Sequence, residues 1–543
     1  MAYVPTTTEV PPPPPPRRRA WPVVLAVAVL LLAAGGAGAF LYLRGSDEVL
    51  FDQVPADADV VVAAYLDPGA SQKVNLFRMT EKFPDLGSQQ EITDSLWEQI
   101  DAALGESGLS REDLDWIGVE MAAWVDVRSG EEAEGALLID SDDDEGARHA
   151  IDAFVDSLRD QGNDVSSSTY RGVELWEDAS GGALALADST VIIGSSGSAV
   201  TATIDVGSGE VDALDTSARF TNTLADLPSA RLGLVYVDVE GISGALQDLV
   251  AQAGAADTAA DLGGTQAVAM TLSATDTGLA IDSVQVNDPS QMAPEMAAAL
   301  DEPPRENAAV AAVPADAYGI MALQHVDSIV EAGLREIEAQ EPSTGDQLDE
   351  LGVTGPGGLV ELLSGDLAME AGPDGTGPLG GAVLLGVDDA AGAQAWIDDS
   401  LRELERAWEG SVPPWTTQEH RGVSMHSIDD EAFPLTYAVL DDVLVVGSSP
   451  EHVADVIDVA QDGGGLATTD GFTNATEEGA ASDALFFLDV PAVMSAVREQ
   501  LPPEEVASFD EEIGTNLDPI GHVVMQMDGD AARQRLRLFV EIP

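Results

Sequence analysis

VPADADVVVAAYLD at residues 54–67 returns as VPADAYGIMALQHVD at residues 313–327, and this recurrence decides the organisation of the 543-residue chain. Working outward, Arg171-Gly172-Val173 pairs with Arg421-Gly422-Val423, and ALADSTVIIGSS (185–196) pairs with AVLDDVLVVGSS (438–449). Phe220-Thr221-Asn222 pairs with Phe472-Thr473-Asn474, and LGLVYVDV (232–239) with ALFFLDV (484–490). The order is kept and the offset stays near 250 to 260 residues, roughly, which marks a tandem duplication of about 240 residues. The expected divisions are a first repeat at 50–288, a linker at 289–306 carrying Pro289, Pro294, Pro303 and Pro304, and a second repeat at 307–543.

Within each repeat, short apolar or alternating runs such as DVVVAAYLD, VEMAAWVDV and TVIIGSS read as strands bounded by turn residues. Residues 146–160 place Ile151, Phe154, Val155 and Leu158 on one helical face, and the stripe recurs with Trp396, Ile397 and Leu401. Val326, Val330, Leu334 and Ile337 form another such stripe. A tight turn at Leu186-Ala187-Asp188-Ser189 pairs consecutive strands, so each repeat is expected to be α+β, an antiparallel or mixed sheet with helices on one face.

The chain carries 97 acidic against 23 basic residues, a formal charge of −74. Nucleic acid is excluded as a partner, because phosphate binding needs clustered Lys and Arg, whereas the only lysines are Lys73 and Lys82. Cysteine is absent, which removes disulfides, thiolate nucleophiles and Cys-ligated metals. Stability must come from packing.

Residues 1–20 are low in complexity, and Pro11 to Pro16 favour a polyproline II rod; the segment reads as a disordered spacer, with a docking peptide for a proline-binding module as the alternative. Residues 21–43, WPVVLAVAVLLLAAGGAGAFLYL, hold no charge, and as a helix they would span roughly 34 Å against a bilayer core of about 30 Å. Arg17, Arg18 and Arg19 precede this run, and all the acidic excess follows Arg44, so the positive-inside bias places the N-terminus in the cytoplasm and the repeats outside it. The expected location is therefore the plasma membrane, single-pass, with the bilayer as one partner. A cleaved signal peptide ending at Ala37-Gly38-Ala39 is the competing reading, opposed by the return of apolar residues at Phe40, Leu41 and Tyr42. Gly35, Gly36 and Gly38 would also permit close approach of two anchors.

VPADADVVVAAYLDPGASQKVNLFRMTEKFPDL after an apolar anchor, with the later RGVELW and IIGSS elements, resembles the actinobacterial family called domain of unknown function 3352. The resemblance spans most of residues 45–543 and implies a membrane-anchored envelope protein. It brings no activity, cofactor or catalytic residue.

Candidate chemistry is sparse. Asp140-Ser141-Asp142-Asp143-Asp144-Glu145-Gly146 invites a calcium reading, but a calcium loop needs Gly at its sixth position and Glu at its twelfth, where this chain has Glu145 and Ile151. The second repeat keeps only Asp388 and Asp389 before a helix, so N-capping is favoured. Asp67, Asp238 and Asp489 each end an apolar strand and read as helix starts. The histidines are His149, His325, His420, His426, His452 and His522, without a metal-binding spacing; His420 and His426 share a predicted hairpin and are read as packing residues. Gly194-Ser195-Ser196 and Gly447-Ser448-Ser449 lack the second glycine of a nucleophile elbow and read as strand-to-helix turns with serine caps.

No residue is therefore assigned as catalytic, cofactor-binding or metal-binding, and no cofactor is expected. The first functional expectation is a non-enzymatic envelope protein that binds, senses or scaffolds an extracytoplasmic partner. Two alternatives are an extracellular carboxylate-dependent hydrolase and a module weakly binding divalent cations.

Overall fold

The run Val60–Tyr65 becomes a strand with Val61 and Ala63 buried and Val62 turned to the other side, and its counterpart Gly319–Leu323 buries Ile320 and Ala322 in the same way. The computed structural model describes residues 50–66, 68–83, 109–127, 133–244, 264–292, 294–340, 353–354, 358–374, 377–407, 415–428, 435–476 and 481–543. The tail at 1–20, the apolar run at 21–43 and Asp67 lie outside the described residues. Among the described residues, no helix is long and apolar enough to cross a membrane.

The first repeat contributes β1 (Val60–Tyr65), β2 (Ile117–Asp126), β3 (Glu134–Ser141), β4 (Val165–Tyr170), β5 (Val173–Asp178), β6 (Ala183–Ala187), β7 (Thr190–Gly194), β8 (Gly233–Asp238), β9 (Thr265–Ala274) and β10 (Gly278–Asn287). The second contributes β11 (Gly319–Leu323), β12 (Leu363–Asp374), β13 (Gly377–Val387), β14 (Thr416–His420), β15 (Val423–Ile428), β16 (Leu435–Val439), β17 (Val443–Gly447), β18 (Ala484–Asp489), β19 (His522–Gly529) and β20 (Arg533–Glu541). Backbone pairing arranges the first ten as β4-β5-β6-β7-β3-β2-β1-β8-β9-β10 and the second ten as β14-β15-β16-β17-β13-β12-β11-β18-β19-β20. The two orders are the same, and among the described residues every pairing is antiparallel, which resolves the antiparallel or mixed expectation in favour of antiparallel.

The repeats share one sheet. β10 pairs with β20 from Gly278↔Glu541 to Val286↔Arg533, with Asp282 opposite Arg537. Leu279 sits opposite Ala274 in one hairpin as Gln534 sits opposite Gly529 in the other, so Asp282 and Arg537, three residues further on in each strand, are equivalent positions. Each therefore faces its own counterpart across the junction, which has pseudo-two-fold symmetry, and their side chains lie 3.4 Å apart as an ion pair. Arg533 adds hydrogen bonds to Asp226 and to the carbonyl of Asn222, fastening the second repeat to the first. The proline-rich linker is held as well: Arg305 pairs with Asp366 at 2.7 Å, and Asp301 accepts from the amide of Ala531.

The helices that matter for the site are α1 (Ala70–Thr80), α2 (Asp144–Asp160), α3 (Gly197–Gly207), α4 (Ala218–Leu224), α5 (Val326–Gln340), α6 (Ala390–Ala407), α7 (Pro450–Asp462), α8 (Asp470–Ala475) and α9 (Val490–Gln500). On one face of the sheet, α3 and α4 cover Val61, Ala122, Trp124, Leu138, Ile192 and Tyr236, while α7 and α8 cover the corresponding part of the second repeat. On the opposite face, α2 packs Ala147, Ile151 and Val155 on Met121, Leu137, Ile139 and Val191, and α6 packs Ala393 and Ile397 on Tyr437 and Leu444. The expectation of helices on one face is thus overturned. The physical reason lies in β3, where the consecutive residues Ala136, Leu137, Leu138 and Ile139 are all buried, a run that only a strand covered on both sides can satisfy.

The Arg-Gly of the recurrent RGV motif is turn chemistry. Arg171 and Gly172 have φ of 49° and 89°, and Arg421 and Gly422 have 50° and 87°, closing the two-residue hairpins β4–β5 and β14–β15. Both positions need positive φ, which explains the glycine. Each arginine offsets its strained backbone by reaching a helix: Arg171 pairs with Asp205 of α3, and Arg421 with Asp458 and Asp462 of α7.

Candidate functional site

The carboxylates singled out by sequence end as caps and tethers. Asp143 caps α2 by accepting from the amide of Glu145 at 3.0 Å, and Asp389 accepts from Gly392 ahead of α6 at 2.9 Å. Asp140 accepts from the amide of Val119, and Asp489 caps α9 through Ala492. Asp238 accepts from the amide of Gly241, and both its carboxylate oxygens lie 2.7 Å from Nη1 of Arg219, whose Nη2 donates to Glu240. In each serine pair the first residue holds the sheet and the second caps a helix: Ser195 accepts from Gly135 and Ser196 from Ala199, while Ser448 accepts from Gly381 and Ser449 from His452. Among the described residues, no group of three or more His, Asp or Glu side chains converges as a metal site would.

The histidines divide sharply between the repeats. His149 is exposed on α2. His420 bonds Asp458 at 2.7 Å, whereas His426 stacks on Tyr437 opposite Thr417, so the two do not meet on their hairpin. His452 is buried and hydrogen-bonded to Glu370, whose side chain is fully buried. Burial works against the His452 imidazolium, but the Glu370 carboxylate outweighs it and holds the imidazole above its ordinary value. His325 and Asp483 are buried 3.5 Å apart, and burial pushes the Asp483 carboxyl upward. His522 bonds Glu541, stacks on Phe487 and lies 3.9 Å from Asp489. These His–carboxylate pairs were hidden from sequence reasoning because the partners come from distant strands. The signal was available in the self-comparison, as apolar residues of the first repeat replaced by titratable ones in the second.

The feature most suited to binding lies on the other face of the sheet. In register across β9, β10, β20, β19, β18, β11, β12 and β13 run Leu272, Ile281, Leu538, Met525, Phe486, Met321, Met369 and Val383. All eight are apolar and all point to one side. Their neighbours along the strands, including Ala280, Val524, Phe487, Ile320, Ala368 and Leu384, are at most 2% exposed, whereas Leu272, Ile281, Met321, Met369 and Val383 are 36% to 41% exposed. Eight strands about 4.8 Å apart make a stripe roughly 33 Å long. Met270 and Met527 extend it toward the neighbouring row, which the pseudo-dyad relates to the first. α1 packs at the end of β9, α5 against β12, and α9 reaches β13 and β19; Leu538, Met525 and Phe486 in the middle of the row are half-buried, while its two ends stay open. An apolar row crossing the junction of two repeats on an acidic chain is the candidate interaction surface. Periodicity alone could not show it, since each strand merely alternates between two apolar sets.

A family model described as "Protein of unknown function (DUF3352)" matches residues 24–348. The chain belongs to this family. The match takes in the whole first repeat and the opening strand and helix of the second, including both copies of Val-Pro-Ala-Asp-Ala. No curated protein matches the chain. Among solved structures, crystal form III of TP0453 is similar at 11% identity over 45% of this chain and 81% of that one, with a TM-score of 0.24. Crystal form I of TP0453 is similar at 13% identity over 45% and 80%, with the same TM-score of 0.24.

Proposed function

We propose that this chain is a membrane-tethered, extracytoplasmic binding protein without an active site of its own, whose open apolar sheet face receives an apolar partner. The stripe from Leu272 to Val383 carries the reading, because it exposes side chains that burial would stabilise by about 25 cal/mol per Å² of area removed from water. The charge-free run at 21–43 supports the tether. The engagement of the candidate carboxylates as caps and ion pairs favours binding over hydrolysis.

The test is equilibrium binding of a neutral solvatochromic dye, chosen because an anionic one would be repelled by the acidic surface. Met321→Glu and Met369→Glu each weaken dye binding about tenfold or more, since a charge set in the stripe opposes burial of an apolar ligand. Val211→Glu, at a residue 46% exposed elsewhere on the surface, leaves it unchanged. Equal binding by all three variants overturns the proposal.

A further inference from the structure

We infer that the occupant of the open face is the acyl chain of a lipid drawn from the adjoining bilayer, an inference that rests on the apolar-partner reading above. Leu50 is 1% exposed, and its amide bonds the buried carboxylate of Glu120 at 3.3 Å, so the first repeat is fixed at that point. The apolar run ends at Leu43, which leaves six residues, 44–49, to join it to the body. Fully extended they reach no more than about 22 Å, so the tether holds the repeats against the membrane surface.

The chemistry of the stripe selects among occupants. The strands beneath it have neighbours on both sides, and their backbone amides and carbonyls are spent in those ladders. An extended peptide laid on this face would find no partners for its own backbone. A second copy must bring together two surfaces that each carry a large acidic excess. An acyl chain has no polar group to satisfy along its length, and the unbranched thioethers of Met270, Met321, Met369, Met525 and Met527 adapt to its flexible shape. The same acidic excess repels anionic headgroups, so the expected lipid is zwitterionic.

The experiment uses the full chain reconstituted in phosphatidylcholine vesicles in which a small fraction of the lipid carries a diazirine on one acyl chain. Illumination is followed by peptide mapping. The expected result is adducts on residues of β19 and β20 as well as on 21–43, with the former reduced at least about fivefold by Met321→Glu and the latter unchanged. Adducts confined to 21–43 overturn the inference. If dye binding then still responds to Met321→Glu, only the acyl identity fails and the apolar-partner reading stands; if it does not respond, both fall. A doubled particle mass without adducts on the stripe overturns it in favour of a second copy.

Discussion

The two repeats share a strand order, a hairpin turn and a pair of capping serines, yet they fill equivalent interior positions with opposite chemistry. Trp124 sits between Val61 and Ala136 as Glu370 sits between Ile320 and Ala382. Ala199 takes the capping bond of Ser196 as His452 takes that of Ser449. The first repeat thus places an indole whose Nε1 donates to Thr203 at 3.1 Å where the second places a buried His452–Glu370 pair. Tyr65 and Gln324 donate backbone amides to Leu232 and Asp483, so the His325–Asp483 pair stands where the first repeat has Leu66 and Leu232.

The same exchange occurs at the strand that ends in Asp238 or Asp489. In the first repeat the cation is Arg219 from α4, one residue before Phe220. The second repeat has Gly471 in the equivalent place, before Phe472, and a Cβ there would come within 2.9 Å of the His522 ring. His522 arrives instead from β19, opposite Asp489, where the first repeat has Ala267 opposite Asp238. Duplication preserved the backbone and let the residue that faces this aspartate come from a different element. At these positions the second repeat consequently relies on groups that titrate where the first uses Trp124, Ala199, Leu66, Leu232 and Ala267, although both repeats bury a carboxylate elsewhere, Glu120 in the first and Asp366 in the second.

The largest expected effect breaks the comparison on its apolar side. Trp124→Ala removes a side chain 4% exposed and leaves Thr203 without its donor, so it should cost ~3–5 kcal/mol in chemical unfolding. A loss below about 1 kcal/mol would mean that the first repeat collapses around the hole and is not held by the indole.

The titratable side gives a smaller effect with a sign. Because Glu370 holds His452 above its ordinary value, the pair contributes stability that is fully present below about pH 6.5, the unfolded value, and is lost as pH rises through the elevated folded value. Glu370→Gln removes that support and leaves burial to disfavour the imidazolium. The variant should lose ~2–3 kcal/mol near pH 5.5 and about 1 kcal/mol near pH 8, read by unfolding at each pH. A pH-independent difference would refute the assignment.

Much of this architecture was legible in residues that recur. The Val-Pro-Ala-Asp-Ala repeats announced two copies of one fold, and the serines after IIG and VVG announced helix starts, because caps and turns are local and leave their chemistry in the sequence. Long-range pairing leaves no such mark. β3 reads ALLI whether one or both of its sides are covered, so the second helical layer was missed. The open stripe was invisible for a related reason: Met321 and Ile320 are equally apolar, and only the helices packed across the sheet decide which of them meets solvent. The His–carboxylate pairs lay between, since their positions were in register with apolar residues of the first repeat but their partners were 82 and 158 residues away for His452–Glu370 and His325–Asp483.

The junction offers the finest test, because there a single pair of equivalent positions faces itself across the pseudo-dyad. Asp282 and Arg537 face one another across β10 and β20 with side chains 15% and 29% exposed. Two identical repeats would place like charges at this point, which the sequence avoids by making one acidic and the other basic. Partial exposure and screening limit the pair to about 1 kcal/mol. Asp282→Arg alone should therefore destabilise the chain by ~1–2 kcal/mol, since opposed arginines repel on neighbouring strands. The exchange Asp282→Arg with Arg537→Asp should restore most of that loss. A double-mutant cycle that finds no coupling would show that the surrounding ladder, and not this pair, joins the repeats.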